Sequence, residues 1–151
     1  MNSRLLLAIP LMLSLTACEK RVEVDLSAVP SGAIRQGVGL MPTYCLTCHG
    51  VGDLEMDEVL APPLWGVRAH YLAEFTDPQA FVDAMTKFLV DPSADKSLMP
   101  IELERHGLKA SVSLSEEQIR SAAWAIYAGE VERPQWSREY QKLHRDCDAS
   151  W

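Results

Sequence analysis

The sequence predicts an all-α domain, on three observations. Apolar residues recur at helical spacing in two segments, each opened by a polar cap and closed by a breaker. No run alternates with period two for long enough to build a sheet. The stretch 50–71 carries Gly52, Pro62-Pro63 and Gly66, and reads as an irregular loop long enough to wrap something.

The chain of 151 residues opens on a segment set apart from that fold. Arg4 supplies a positive start, and residues 5–15 are apolar apart from Ser14, too short a run to span a bilayer. The run ends in Leu15-Thr16-Ala17-Cys18, small residues followed directly by Cys. It resembles the lipobox of bacterial lipoproteins. That resemblance implies a signal peptide over residues 1–17, cleavage before Cys18 and lipid on the Cys18 sulfur. A plain signal with an incidental Cys is the alternative. Two acyl chains anchor stably where one is marginal. Glu19, where an Asp would mark inner-membrane retention, points toward the outer membrane. The expected location is the periplasmic side of a bacterial membrane, held by the lipid.

Loss of residues 1–17 removes one Arg and takes the formal charge from −7 to −8. A balance this acidic excludes nucleic acid as an expected partner. It suits a protein partner with a basic docking face, and equally a generic acidic surface.

Residues 18–31 are polar, carry Pro30, Ser31 and Gly32, and read as a tether. Residues 33–41 are helical in character, with a bend or end near Met41 because Pro42 follows. Thr76-Asp77-Pro78 opens the next helix with a cap and a first-turn Pro. Phe81, Val82, Met85, Phe88 and Leu89 form its apolar stripe, and Asp91-Pro92 ends it. Ser115 and Gln118 make a capping box for the last helix. Ile119, Ala122, Ala123, Ile126 and Tyr127 form its buried face, and Gly129 stops it. Residues 130–151 read as a polar tail containing Trp136, Tyr140 and Trp151. The expected organisation is signal peptide 1–17, tether 18–31, folded domain 32–129 and tail 130–151.

The chemistry lies in Cys45-Leu46-Thr47-Cys48-His49. Two thiols separated by two residues on a helical turn project to one side and can add to the two vinyl groups of one haem. The following His then lies under the porphyrin, where its imidazole reaches the iron. This spacing is the signature of covalent c-type attachment, with Cys45 and Cys48 as thioethers and His49 as an axial ligand. A thioredoxin-like pair would need a βαβ setting, and none is visible. A zinc site would need more ligands at close spacing, and only His70 is near. A plain disulfide leaves His49 without a role. Cys147 remains over, as a free thiol, an intermolecular bridge or a competitor for the haem thiols.

Beyond that motif, residues 32–129 resemble the class I c-type cytochromes that carry one haem. Ala61-Pro62-Pro63-Leu64-Trp65-Gly66 looks like the family's Gly-Pro-x-Leu-x-Gly segment. Gly37 and Met41 stand where the family's first helix meets its last, and Trp124 and Tyr127 match on that last helix. The resemblance implies a class I cytochrome c fold, three to five helices and long loops around one covalent haem c. It implies that the Pro62 carbonyl orients His49. It implies Met99, next to Pro100, as the second axial iron ligand, which would raise the potential relative to two histidines. Met41, Met56 and Met85 are poorer placed. His106 and Lys109, in a long 101–114 stretch, are the other ligand candidates, or solvated loop charges. Trp65 and Arg68 are expected beside the haem propionates, where an indole N–H and a guanidinium suit carboxylates.

The expected function is single-electron transfer by a membrane-anchored, periplasm-facing cytochrome, an electron carrier with redox proteins as partners and not a complete enzyme. Six-coordinate iron leaves no site for substrate. A haem-based sensor or ligand-binding module, or a haem subunit of a periplasmic dehydrogenase or oxidase, is the alternative.

Overall fold

The computed structural model describes residues 24–144, so the expectations for residues 1–17, Cys18 and Cys147 lie outside the described residues. Among the described residues the protein is all-α, with seven α-helices and no strand. The helices are α1 (Ala33–Tyr44), α2 (Leu46–His49), α3 (Leu64–Glu74), α4 (Pro78–Val90), α5 (Pro100–His106), α6 (Glu116–Ala128) and α7 (Ser137–Leu143).

The two best-marked helices form as the sequence dictates. The Asp77 side chain caps α4 by accepting from Ala80 N–H at 2.7 Å. Ser115 and Gln118 complete a reciprocal capping box on α6, and Gly129, at φ 94°, ends it in the left-handed region. Phe81 and Val82 of α4 are fully buried with Ala123 of α6. A chain of ring contacts runs Tyr71–Phe81–Tyr127–Trp124 through this core, at centroid distances of 5.5, 5.2 and 5.8 Å.

The most extensive helix contact is α1 on α6. A Cβ added at Gly37 would lie 2.1 Å from the Ser121 carbonyl oxygen and 2.8 Å from the Ala125 Cβ. Only glycine lets the two backbones approach so closely. Ser121 Oγ also donates to Gln36 Oε1 across the crossing at 2.9 Å.

Four expectations are corrected. Helix α1 does not end near Met41 but continues to Tyr44 with Pro42 inside it. The carbonyl deprived of its donor by Pro42 belongs to Val38, on the exposed side where water can replace it. The presumed loop 50–71 becomes helix from Leu64. The presumed tether is docked from Val24 onward. Val24 and Val29 pack on the core, Asp25 caps a 3₁₀ turn at Leu26–Ala28, and Asp25 N–H donates to the Tyr127 hydroxyl at 2.9 Å.

The fourth correction concerns the tail, which is part of the folded body as far as His144. Tyr140 and His144 are almost fully buried. Trp136 Nε1 donates to the Leu54 carbonyl at 2.8 Å, and the Arg133 guanidinium lies 4.9 Å from the centroid of the Trp65 ring. Tyr140 has a seat on α3 made by Gly66, where an added Cβ would come within 2.6 Å of the tyrosine ring. A glycine that weakens α3 as a helix is thus the residue that admits the tail.

Candidate functional site

A cavity of about 240 Å³, partly open to solvent, lies between α2, α3, α4, α5, α6 and the segment 107–114. Its walls are mostly apolar. Leu64, Val67 and Tyr71 come from α3, Met85, Phe88 and Leu89 from α4, and Ile119, Ala122 and Ile126 from α6. These are the same stripes that make the helices amphipathic, so the cavity is a continuation of the core and not a surface groove.

The Cys-x-x-Cys-His run reaches this cavity as a single helical turn. Cys45 closes α1 and opens α2, with its N–H on the Met41 carbonyl at 2.9 Å and its carbonyl taking His49 N–H at 2.9 Å. Cys45, Cys48 and His49 all line the cavity, and both thiols are free. Burial pushes the Cys45 thiol above its ordinary value.

His49 is the most tightly defined group of the set. Its Nδ1 lies 2.6 Å from the Pro62 carbonyl oxygen. A carbonyl only accepts, so Nδ1 carries the proton and Nε2 keeps its lone pair. Burial holds the imidazole below the usual histidine range, against the opposing pull of the Pro62 carbonyl, with the charges of His106 and Lys109 adding to the depression. A neutral imidazole with one nitrogen anchored is the form that ligates a metal. Pro62, also at the cavity wall, is therefore placed as an orienting group.

Met99 is buried and lines the cavity immediately before α5. Pro100 takes the first position of α5, where its missing N–H costs nothing. The stretch 101–114 is thus not one long loop, because its first part is helix. Met85 also presents at the cavity, from the middle of α4. His106 and Lys109 line it too, but each is engaged. His106 Nε2 lies 2.8 Å from Glu102 Oε2, and Lys109 Nζ donates to the His106 carbonyl at 2.6 Å.

Trp65 and Arg68 take other positions on α3. Leu64, Val67 and Tyr71 follow helical spacing along the cavity side of α3, which turns Trp65 and Arg68 to another face. Trp65 packs edge-on to Tyr140 at 6.4 Å, and Arg68 Nε donates to the Tyr127 carbonyl at 3.1 Å near the end of α6. Neither lines the cavity.

Glu102 was missed from the sequence. It lines the cavity yet is only 2% exposed. His144 Nε2 lies 2.6 Å from its Oε1, and the rings of His144 and His70 are 5.2 Å apart. Despite desolvation, which acts to raise it, the Glu102 carboxyl is held low by His144, His106 and the Tyr140 hydroxyl. The spacing of Glu102 and His106, four apart on one helix face, was the available signal. Among the described residues no group of three or more His, Cys, Asp or Glu is placed to hold a bare metal ion.

Beneath that cluster, burial and then the neighbouring His144 push His70 down to about 4, against the opposing pull of Glu102. The unfolded chain binds a proton at His70 below about pH 6.5, and the folded chain refuses it until about pH 4. Stability should therefore fall as pH drops through this window, by roughly 2 kcal/mol after allowing for partial solvation. Urea unfolding at several pH values checks it. His70→Gln should flatten the slope, and an unchanged slope in that variant would refute the assignment.

No family model, no curated protein and no solved structure matches the chain. What the site can do rests on its own residues. Two thiols, an oriented imidazole and the thioethers of Met85 and Met99 line one largely apolar cavity.

Proposed function

We propose that the chain is a class I c-type cytochrome that carries one haem and passes single electrons. The observation that carries the reading is the His49 Nδ1–Pro62 carbonyl hydrogen bond of 2.6 Å, made by a histidine that directly follows two free cavity thiols. Neither a disulfide nor a redox thiol pair would need that imidazole fixed in one tautomer. The cavity suits the group as well, since its walls are largely apolar and Cys45, Cys48, His49 and Met99 all reach it.

Bound through two thioethers, the haem would supply an iron that takes up and gives back one electron. Cys45 and Cys48 would hold the macrocycle at its edge. His49 would give its Nε2 lone pair, strengthened by the proton shared between Nδ1 and the Pro62 carbonyl. Met99 would give its thioether, which favours the reduced iron and raises the potential. The apolar stripes of α3, α4 and α6 would keep water from the ring.

The lipobox and the acidic surface complete the proposal. The cytochrome would be held on the periplasmic face of a bacterial membrane through Cys18 and would exchange electrons with protein partners.

Export of the full chain with haem maturation should yield a protein whose mass includes one haem. The colour should survive acid-acetone extraction. Cys45→Ala should leave one thioether, and Cys45→Ala with Cys48→Ala none. An exported wild-type chain of apo mass would sink the proposal.

A further inference from the structure

The helix that follows Met99 is poorly supported by its neighbours. No extensive helix-to-helix packing involves α5, in contrast to α1 on α6 and α4 on α6. With seven residues and a Pro start, α5 could not hold itself as an isolated helix. What fastens it are two side-chain links. Arg105, exposed, donates to the Met56 carbonyl at 3.0 Å. Glu102, buried, meets His144 at 2.6 Å. The second link is by far the more demanding, because a buried carboxylate that loses its partner is left uncompensated.

The other end of that link is equally fixed. His144 is 2% exposed, and its ring lies 4.3 Å from that of Tyr140. Tyr140 in turn occupies the seat that Gly66 leaves on α3. A rigid path thus runs from α3 through Tyr140 and His144 to Glu102, three residues after Met99.

We propose that the segment 134–144 is a positioning clamp, in which His144 acts through Glu102 to fix α5 and with it the place of Met99 at the cavity. The inference rests on the haem reading above, with Met99 as distal ligand. His144 is a positioning residue, since it does not itself line the cavity. The clamp makes the distal ligand conditional on docking of the C-terminal segment, and so makes the potential adjustable from a distance.

The test uses the full-length holoprotein and begins with wild type. Its ferric form should show the weak far-red charge-transfer band that marks sulfur on haem iron. His144→Ala should weaken or abolish that band and lower the midpoint potential, with haem still covalently attached. His144→Gln should restore both, because its amide N–H reaches the place of Nε2. Hydrogen exchange should show lost protection at 101–106 in His144→Ala, and unchanged protection where α1 crosses α6. If His144→Ala does not accumulate, Glu102→Gln, which keeps the shape and loses the charge, should show the same loss of band and potential in weaker form. A wild type with covalent haem but no band overturns the Met99 assignment and the clamp together. A wild type with the band, and variants that keep both band and potential, overturns the clamp alone.

Discussion

Replacing Met99 by alanine in the holoprotein is expected to lower the midpoint potential by on the order of 0.2 V, a fraction of the roughly 0.8 V that axial ligands command. The reasoning is electronic. A thioether is a soft donor that stabilises the reduced iron, and its loss leaves a site that water or a harder base would fill, favouring the oxidised state. The far-red band should vanish with it. Two controls separate this from general damage. Met85→Leu removes the other cavity thioether from α4 while nearly conserving volume, and should leave band and potential close to wild type. His106→Ala should do the same, since His106 is already engaged with Glu102. If Met99→Ala keeps band and potential while Met85→Leu loses them, the distal ligand comes from α4.

Gly37→Ala is expected to cost about 3 kcal/mol of stability, at the upper end for overpacking a tight site. Two effects compete. Alanine is the better helix former by about 1 kcal/mol. Against that, its Cβ would fall 2.1 Å from the Ser121 carbonyl oxygen, which is backbone and cannot rotate away. The α1–α6 crossing would have to spread, loosening the largest contact in the fold. Gly39 is the matched control on the same helix, because nothing lies within 4 Å of an added Cβ there. Gly39→Ala should therefore stabilise by up to about 1 kcal/mol. Urea unfolding of both variants decides the matter, and equal midpoints would contradict the crossing geometry.

Local signals were legible in the sequence where the cause of the structure is itself local. The caps of α4 and α6 and their apolar stripes needed only neighbouring residues, and they stand where the pattern put them. The run Cys45–His49 is likewise one turn of chain, and the His49–Pro62 contact spans a short loop. Helix α3 was hidden because Pro62-Pro63 and Gly66 look like loop punctuation. Pro63 in fact precedes its first turn, and Gly66 is explained by Tyr140, far along the chain. Helix α5 is too short for a period to show. The buried role of Glu102 depends on His144, and no local pattern links a glutamate to a histidine so distant. That Trp65 and Arg68 lie outside the cavity lining follows from α3, the helix that the loop-like punctuation hid.

The docking of Asp25 on the Tyr127 hydroxyl has a bearing on where the protein stands relative to a bilayer. If Cys18 carries lipid as proposed, the leash between the lipid and the docked chain is not the whole of 18–31, because only residues 19–23 lie between Cys18 and Val24. Five residues span about 18 Å at full stretch. A leash so short cannot let the domain tumble freely above the headgroups. It restricts which way up the molecule rides, keeping the N-terminal docking point beside Tyr127 within about 20 Å of the lipid surface. The anchor would then work as a mooring that sets orientation, and a redox partner would meet a cytochrome already presented with a preferred side outward.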